Sequence, residues 1–386
     1  MAGPVPKPEC LLGFHQVLSP TAGIKVSPLC LGTMNFGTTW EPYMGECSKD
    51  VSFAILDTFF DHGGNFIDTL MPLSANVYQD GQSETWIGEW MKKRGNRDQM
   101  VIATKYTTGF RRTHVSTEPI QSNFVGNSVK SMNLSVKNSL EKLQTDYIDI
   151  LYVHWWDFTT SVEEVMHGLN ALILAGKVLY LGVSGTPAWL VVKANAYARA
   201  NGLRPFSVYQ GKWNAGFRDL ENEIVPMCRD QGMAIAPFAV LGQAKFRPAE
   251  QRNAEYKGSG RAALRAEEND KVSDVLEAVA KRNETSLYAI ALAWVRFKAP
   301  YVFPIIGQRS VAHMKANIEA LSLDLSMEDM DEIDKAIEFN PAFPLDYLLA
   351  GNFSTAFTAA DVQLTQWTAH IDAPTPVMPV RPRKNL

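Results

Sequence analysis

Three short apolar runs decide the fold of this 386-residue chain: Asn65-Phe-Ile-Asp-Thr69, Val101-Ile-Ala-Thr-Lys105 and Leu151-Tyr-Val-His154. Each has the length of a buried strand and ends in a side chain that holds or moves a proton. A lysine or histidine that ends a buried strand is costly to remove from water, so it needs a partner or a task. The three runs predict strands that bring these side chains to one edge of a sheet, as a relay suited to protonating a carbonyl oxygen.

The alternation of strands and helices continues along the chain. Candidate strands cover residues 26–33, 65–69, 101–106, 148–154, 178–184, 206–210, 233–238 and 302–306. Helical patterns cover residues 83–94, 123–143, 161–174, 188–200, 221–230 and 271–282. Eight strand–helix units in order predict an α/β fold, a closed (β/α)8 TIM barrel. The alternative is an open doubly wound sheet, but Leu31-Gly-Thr-Met-Asn-Phe-Gly37 after the first strand lacks the GxGxxG spacing.

The remaining segments suggest additions to a single domain over residues 1–386. The barrel core is expected at about residues 26–340, and residues 8–25 are expected to form a hairpin over its N-terminal face. Residues 341–386 are rich in Pro, Ala and Thr and predict an irregular tail, whose aromatics either pack or line a pocket. The polar stretch 247–268 predicts a long loop after the seventh strand, at the face where barrels hold ligands.

Composition excludes several classes of protein. A net charge of −4 and a pI of about 6.0 argue against nucleic acid as a partner. The four cysteines show no CxxC pair or metal-ligand spacing, as expected for reduced thiols in the cytosol. The sequence also shows neither a secretory signal nor an apolar stretch long enough for a membrane span. We therefore expect a cytoplasmic protein whose partner is a small molecule.

Each candidate residue also has an ordinary structural interpretation. On this interpretation, Asp68 caps a helix. The aliphatic stem of Lys105 carries its ammonium to the surface, and His154 is a hydrogen-bonded histidine of the core. Tyr78 is equally compatible with an ordinary loop. Only their joint occurrence at or just beyond the C-terminal ends of successive strands favours a catalytic site, because barrel enzymes place their chemistry at that rim.

Several strings resemble the aldo-keto reductase superfamily, and within it the branch of fungal aryl-alcohol dehydrogenases and norsolorinic acid reductases. They span about residues 10 to 345, in order. The matching strings are Leu31-Gly-Thr-Met-Asn-Phe-Gly37, Gly64-Asn-Phe-Ile-Asp-Thr69, Tyr78-Gln-Asp-Gly-Gln-Ser-Glu84, Ala103-Thr-Lys105, Asp149-Ile-Leu-Tyr-Val-His-Trp-Trp-Asp157, Leu181-Gly-Val-Ser-Gly-Thr-Pro-Ala-Trp189, Tyr209-Gln-Gly-Lys-Trp-Asn214 and Pro304-Ile-Ile-Gly-Gln-Arg309. The resemblance implies a (β/α)8 barrel that binds NADPH in an extended conformation.

The resemblance also implies catalytic roles. Tyr78 would donate the proton to the carbonyl oxygen, and Lys105, held by Asp68, would lower the pKa of that tyrosine. His154 would orient the substrate oxygen. A phenol with a pKa near ~10 is a poor acid or base at neutral pH until a cation stabilises the phenolate, so the physics agrees with these roles.

For NADPH, the resemblance implies contacts from most of the strand ends. Ser184 and Gln210 would bind the nicotinamide carboxamide, and Trp213 would stack on the ring. Leu241, Gly242 and Gln243 would hold the pyrophosphate, while Arg309, His313 and Asn317 would hold the 2′-phosphate and adenine. The remaining expected cofactor residues are Gly32, Thr33, Met34, Asp68, Lys245, Ile306 and Gly307.

One departure from the family pattern concerns the tyrosine. It follows Asp68 by ten residues instead of five, because Leu70-Met-Pro-Leu-Ser74 stands between Thr69 and Ala75. Three interpretations stay open: the extra residues bulge and return Tyr78 to its place, they displace it, or they are an intron read through in a gene model. A displacement of ~1 Å is enough to cost on the order of 100-fold in rate.

The pattern as a whole is typical of an NADPH-dependent reductase of aromatic or polyketide-like aldehydes and ketones in fungal secondary metabolism. Trp155, next to His154, is placed to stack on a flat substrate. Two alternatives remain: a non-catalytic NADP(H)-binding sensor whose tyrosine site is disrupted, and a pathway enzyme whose net reaction is not reductive.

Overall fold

In the part of the chain that the structure describes, ten strands form a two-stranded hairpin and an eight-stranded sheet. The computed structural model describes residues 3–39, 41, 45–69, 81–252, 267–350 and 353–383. The strands are β1 (Gln16–Ser19), β2 (Ala22–Val26), β3 (Cys30–Gly32), β4 (Phe66–Asp68), β5 (Val101–Tyr106), β6 (Ile148–Val153), β7 (Val178–Ser184), β8 (Val208–Lys212), β9 (Ala234–Phe238) and β10 (Ile305–Gly307).

The large sheet closes into a barrel of parallel strands. Its order is β10-β3-β4-β5-β6-β7-β8-β9, and each neighbouring pair is parallel. A parallel bridge between Ile235 and Val302 joins β9 to the segment before β10. With helices between the strands, this topology confirms the predicted (β/α)8 barrel.

Helices surround the barrel, and serine begins many of them. The helices are α1 (Lys49–Asp61), α2 (Gln82–Arg94), α3 (Val129–Leu143), α4 (Val162–Leu174), α5 (Ala188–Ala200), α6 (Ile224–Gln231), α7 (Glu267–Arg282), α8 (Leu287–Phe297), α9 (Val311–Glu319), α10 (Met327–Asp334), α11 (Leu345–Leu349) and α12 (Gln363–Gln366). In α1, α3, α4, α8, α9 and α10, the serine before the helix accepts a hydrogen bond from a backbone N–H of the first turn. Each such cap contributes about 1 kcal/mol to the stability of its helix.

The barrel has a core inside the strands and a larger one between strands and helices. The inner cluster includes residues of β4, β5, β6 and β8, namely Phe66, Ala103, Ile150 and Val208. Leu18, Ala22 and Val26 of the β1–β2 hairpin join the same cluster. The hairpin therefore plugs one end of the barrel, as predicted, but it spans residues 16–26, and the predicted residues 11–13 form a 3₁₀ turn before it.

Some boundaries differ from the sequence predictions because of proline and local capping. The first predicted strand, 26–33, is two strands in the structure: β2 of the hairpin ends at Val26, and the barrel strand β3 begins at Cys30. Pro28 lies between them and has no backbone N–H to donate to a neighbouring strand. The helix predicted at 123–143 begins only at Val129, because Ser128 caps it and residues before it form a loop. The helix predicted at 221–230 begins at Ile224, after a 3₁₀ turn.

The C-terminal tail combines short helices with irregular backbone, and it is anchored to the barrel. Arg381 donates to Asp324 Oδ1 at 3.0 Å and to the Leu325 carbonyl at 2.9 Å. Phe353 packs against Phe339 and Phe357. The tail aromatics Phe343, Tyr347 and Trp367 are exposed. Across the part of the chain that is described, no helix is both long enough and apolar enough to cross a membrane.

Candidate active site

Strand periodicity brings three of the predicted catalytic residues to one end of the barrel interior. Side chains two residues apart on a strand point to the same face. Phe66 and Ala103 face the barrel interior, so Asp68 and Lys105, two positions further on, face it as well. His154 follows Ile150 and Tyr152 on β6 in the same phase. All three lie at the C-terminal ends of neighbouring strands.

Asp68 and Lys105 form a buried ion pair. Lys105 Nζ lies 2.6 Å from Asp68 Oδ1, and neither side chain is exposed to solvent. Gln210 Nε2 donates to Asp68 Oδ2 at 2.8 Å. Burial raises the pKa of Asp68, and the charge of Lys105 and the hydrogen bonds oppose that rise. Burial lowers the pKa of Lys105, and the charge of Asp68 opposes the fall. The two charges therefore depend on each other in a site that water does not reach.

His154 is a neutral imidazole next to this pair. Burial and, second, the charge of Lys105 lower the pKa of His154 to about 3. Its Nδ1 lies 3.4 Å from the hydroxyl of Thr108. At neutral pH the ring therefore has one N–H and one lone pair, and it is able to donate a hydrogen bond without carrying charge.

Tyr78, predicted as the proton donor, lies outside the described residues, and so does the whole Leu70-Met-Pro-Leu-Ser74 segment. Its predicted role stays a prediction.

A cavity of about 360 Å³ opens at the same end of the barrel. Gly32, one of its lining residues, is the register partner of Asp68 on the neighbouring strand, so the cavity begins one strand away from the ion pair. Nine of the predicted cofactor residues line it: Gly32, Met34, Leu241, Gln243, Ile306, Gly307, Arg309, His313 and Asn317.

Other predicted cofactor residues lie near the cavity without lining it. Ser184 ends β7 and is the register partner of Gln210, which reaches Asp68. The Thr33 hydroxyl hydrogen-bonds the Ser83 hydroxyl at 2.9 Å. Gly242 adopts a positive φ of 71° and packs on the ring of Phe246. Lys245 is half-buried. Burial of Lys212 lowers the pKa of Lys212, and the charge of Lys245 lowers it further.

The structure does not bring Trp213 to the cavity. Its indole N–H donates to Glu221 Oε1 at 3.0 Å, and its ring packs edge-on against Trp294 in the core. Trp213 is three positions after Gln210, so it has the opposite strand phase and points towards the helices. Phe238 lines the cavity instead, at the end of β9 in the same phase as the interior residues Ala234 and Ala236. Counting the phase along each strand would have selected Phe238.

Gln308 is a second residue that the sequence analysis missed. It lines the cavity, is buried, and neither polar atom of its side-chain amide has a hydrogen-bond partner among the described residues. A buried amide without partners is costly, about 1–3 kcal/mol for each unsatisfied group, unless a ligand completes it. Nothing in the local sequence distinguishes this glutamine from a surface residue.

These residues fit a phosphorylated dinucleotide. The cavity combines an arginine, the start of α9 (where Ser310 caps the first turn), an unsatisfied amide and an aromatic wall. An arginine at a helix N-terminus is a good site for a phosphate group. In the described ranges, no group of three or more His, Cys, Asp or Glu side chains is arranged to hold a metal ion.

Comparisons with known proteins identify the family of the chain. The model of the aldo/keto reductase family matches residues 28–338. The chain belongs to the aldo/keto reductase family.

Among its relatives, norsolorinic acid reductase A of Aspergillus parasiticus is 52% identical over 380 residues, which cover 98% of this chain and 95% of that protein. An aryl-alcohol dehydrogenase of Pestalotiopsis microspora is 50% identical over 382 residues, 99% of this chain and 96% of the relative. An NADP(+)-dependent aryl-alcohol dehydrogenase of Phanerodontia chrysosporium is 51% identical over 362 residues, 91% of this chain and 92% of the relative.

Proposed function

We propose that this protein is an NADPH-dependent oxidoreductase that reduces an aromatic or polyketide-like aldehyde or ketone to the alcohol. The observation that carries the proposal is the buried Asp68–Lys105 ion pair beside a neutral histidine, at the barrel end where the cavity opens. A carbonyl that accepts a hydride needs a proton and a hydrogen-bond donor at its oxygen. His154 would be the hydrogen-bond donor, and the ion pair would make the proposed proton donor, Tyr78, more acidic.

Lys105 and Asp68 control the proton in this proposal. The ammonium of Lys105 stabilises a nearby phenolate, so Tyr78 would give up its proton to the substrate oxygen more readily than an isolated phenol. Asp68 holds the ammonium in place through the 2.6 Å contact and keeps it charged despite burial. Gln210 fixes the second oxygen of Asp68 and so the direction of the carboxylate.

His154 orients the substrate. A neutral imidazole donates a hydrogen bond to a carbonyl oxygen without an ion pair that would hold the product alkoxide too tightly. Because the pKa of His154 is about 3, the ring stays neutral throughout the physiological pH range.

The cofactor would occupy the cavity. Arg309, His313 and Asn317 would hold the adenosine 2′-phosphate and adenine, and Leu241 and Gln243 the pyrophosphate. Gln308 would satisfy its amide on the nucleotide, and Phe238 is placed to contact the nicotinamide ring in place of Trp213. When bound, NADPH supplies the hydride.

The substrate class follows from the relatives and from the residues around His154. The relatives are named for norsolorinic acid and for aryl alcohols, which are flat aromatic compounds. Trp155 follows His154 directly and is half-buried, and we propose that its ring stacks on a flat substrate. We propose a role in fungal secondary metabolism. We also propose a cytosolic location, which the four unpaired cysteines support.

Oxidation of NADPH by an aromatic aldehyde, followed by absorbance, tests the proposal. Three proteins are compared: the wild type, a Tyr78→Phe variant and a variant lacking residues 70–74. Turnover in the wild type that falls on replacing Tyr78 supports the reductase. Turnover only after the deletion would show that the extra residues disable the site, and binding of NADPH without turnover in any variant would favour the sensor. Conversion of a substrate without net oxidation of NADPH would favour a non-reductive enzyme.

A further inference from the structure

Thr108 connects the side chains of His154 and Trp155, the two residues that we propose contact the substrate. Its Oγ1 accepts a hydrogen bond from Trp155 Nε1 at 2.8 Å and lies 3.4 Å from His154 Nδ1. We propose that Thr108 is a positioning residue that selects the tautomer of His154 with its proton on Nε2, the tautomer that donates to the substrate carbonyl. This inference rests on the proposed reductase function.

The chemistry of the three groups limits the direction of these hydrogen bonds. An indole N–H donates only, so Thr108 Oγ1 acts as the acceptor towards Trp155. The hydroxyl still has one proton, which we assign to the contact with His154, and Nδ1 is then the acceptor. Because the ring of His154 is neutral, its one remaining proton is then on Nε2.

Hydrogen bonds from Asn127 fix the backbone next to Thr108. Asn127, fully buried, donates from Nδ2 to Thr107 Oγ1 at 2.9 Å and to the Trp155 carbonyl at 3.1 Å. It thereby ties the segment that carries Thr108 to the segment that carries His154 and Trp155. Thr107 adopts a φ of 118°, in the region that a β-branched residue rarely occupies. Strain of this kind persists where surrounding contacts fix the backbone, often beside functional groups.

The same contacts give Trp155 a defined orientation. Its indole N–H is used by Thr108 and its carbonyl by Asn127, so its ring cannot rotate freely. Thr108 therefore fixes the histidine that would bind the carbonyl oxygen and the aromatic face that would contact the rest of the substrate.

Three substitutions separate this role from simple packing. Thr108→Val keeps the shape of the side chain and removes the hydroxyl, while Thr108→Ser keeps the hydroxyl. Thr113→Val is a matched control, because the Thr113 hydroxyl meets His114 Nδ1 at 3.1 Å in an exposed pair on the same loop. We expect Thr108→Val to lower kcat by roughly 10- to 100-fold through loss of orientation, with the Kd for NADPH unchanged. Thr108→Ser should stay within about threefold of the wild type, and so should the control.

Nitrogen-15 NMR of histidine-labelled protein reads the tautomer directly, with His154→Asn used to assign the signal. The wild type and Thr108→Ser should show His154 protonated on Nε2, and Thr108→Val should show a mixture with the other tautomer. A wild-type ring protonated on Nδ1 would overturn the inference, as would a Thr108→Ser variant as slow as Thr108→Val. The NMR result does not depend on turnover, so it still decides the inference if the wild type reduces no carbonyl, an outcome that would overturn the proposed function instead.

Discussion

Two clusters of buried charge in this protein differ in how many protein groups contact their charges. The Glu221 cluster consists of Arg218, Glu221, Lys298 and Asp334, and the Lys105 cluster consists of Asp68, Lys105 and Gln210. In the first, Glu221 receives a bidentate contact from Arg218 at 2.9 and 2.8 Å, a hydrogen bond from Trp213 at 3.0 Å and the charge of Lys298 at 3.3 Å. Protein groups surround its charges on several sides.

The Lys105 cluster is sparser and lies one strand away from the cavity. Among the described residues, Lys105 forms an ion pair with Asp68 at 2.6 Å, and Asp68 also accepts a hydrogen bond from Gln210. The neutral imidazole of His154 lies beside the pair, and the unsatisfied amide of Gln308 lies in the neighbouring cavity. The contrast indicates that the Glu221 cluster stabilises the fold, whereas the Lys105 cluster holds charge ready for a ligand.

Replacing the lysine of each cluster with methionine tests this contrast, and it is the test with the largest expected effect. Lys105→Met removes the cation that would acidify the proton donor, so we expect kcat to fall by about 1000-fold while NADPH still binds. Lys298→Met is the matched control, because its ammonium is also buried and lies 2.7 Å from Asp334. Stopped-flow turnover per folded molecule is the measurement. Equal losses of kcat in the two variants would contradict the distinction.

Breaking the Glu221 cluster should affect stability instead. Glu221→Ala leaves the buried charges of Arg218 and Lys298 without their shared partner, so we expect unfolding in urea to require about 3–5 kcal/mol less free energy. The kcat of the molecules that remain folded should not change. A variant as stable as the wild type would mean that the cluster contributes nothing net to the fold.

A substitution of Arg309 tests whether the cavity beside the Lys105 cluster binds the 2′-phosphate of NADPH. Replacing Arg309 with methionine should weaken NADPH binding by about 1.5–3 kcal/mol, roughly tenfold to 100-fold, since a charge-assisted contact to phosphate is lost. Binding of NADH, which lacks the 2′-phosphate, serves as the internal reference and should be unaffected. Lys315→Met is the control, because Lys315 is an exposed residue of α9, the helix that follows Arg309. Equal weakening for both nucleotides would place Arg309 away from the 2′-phosphate.

The pH dependence of stability gives the smallest and most specific test. His154 binds a proton in the unfolded chain near its ordinary pKa of 6.5, but in the folded protein only near 3. Its contribution to stability is therefore present above pH 6.5 and is lost as the pH falls, by up to about 1.4 kcal/mol per pH unit. The free energy of unfolding in urea is plotted against pH between 6.5 and 4. Its slope should be shallower by this amount in His154→Asn than in the wild type. Parallel curves would show that His154 is not held neutral by burial.

The sequence predicted the elements better than it predicted which side chains face the cavity. The bounds of β5, β7 and α5 were predicted to the residue, because they are uninterrupted apolar or helical patterns. The sequence analysis selected Asp68, Lys105 and His154 because each ends a short apolar run, and the structure brings all three to one end of the barrel. Trp213 was misplaced and Phe238 missed because the prediction used the kind of residue after the strand and not its phase. Gln308 carried no local signal, since only the closed barrel places its amide in a cavity without partners.

Transfer of deuterium from NADPH labelled at C4 to an aromatic aldehyde, detected by mass spectrometry of the alcohol, tests the central claim most directly. The wild type is predicted to form alcohol that carries one deuterium at the former carbonyl carbon, and Lys105→Met is predicted to form almost none in the same time. Bound NADPH that transfers no deuterium to any aldehyde or ketone offered, or equal transfer by both proteins, would contradict the account.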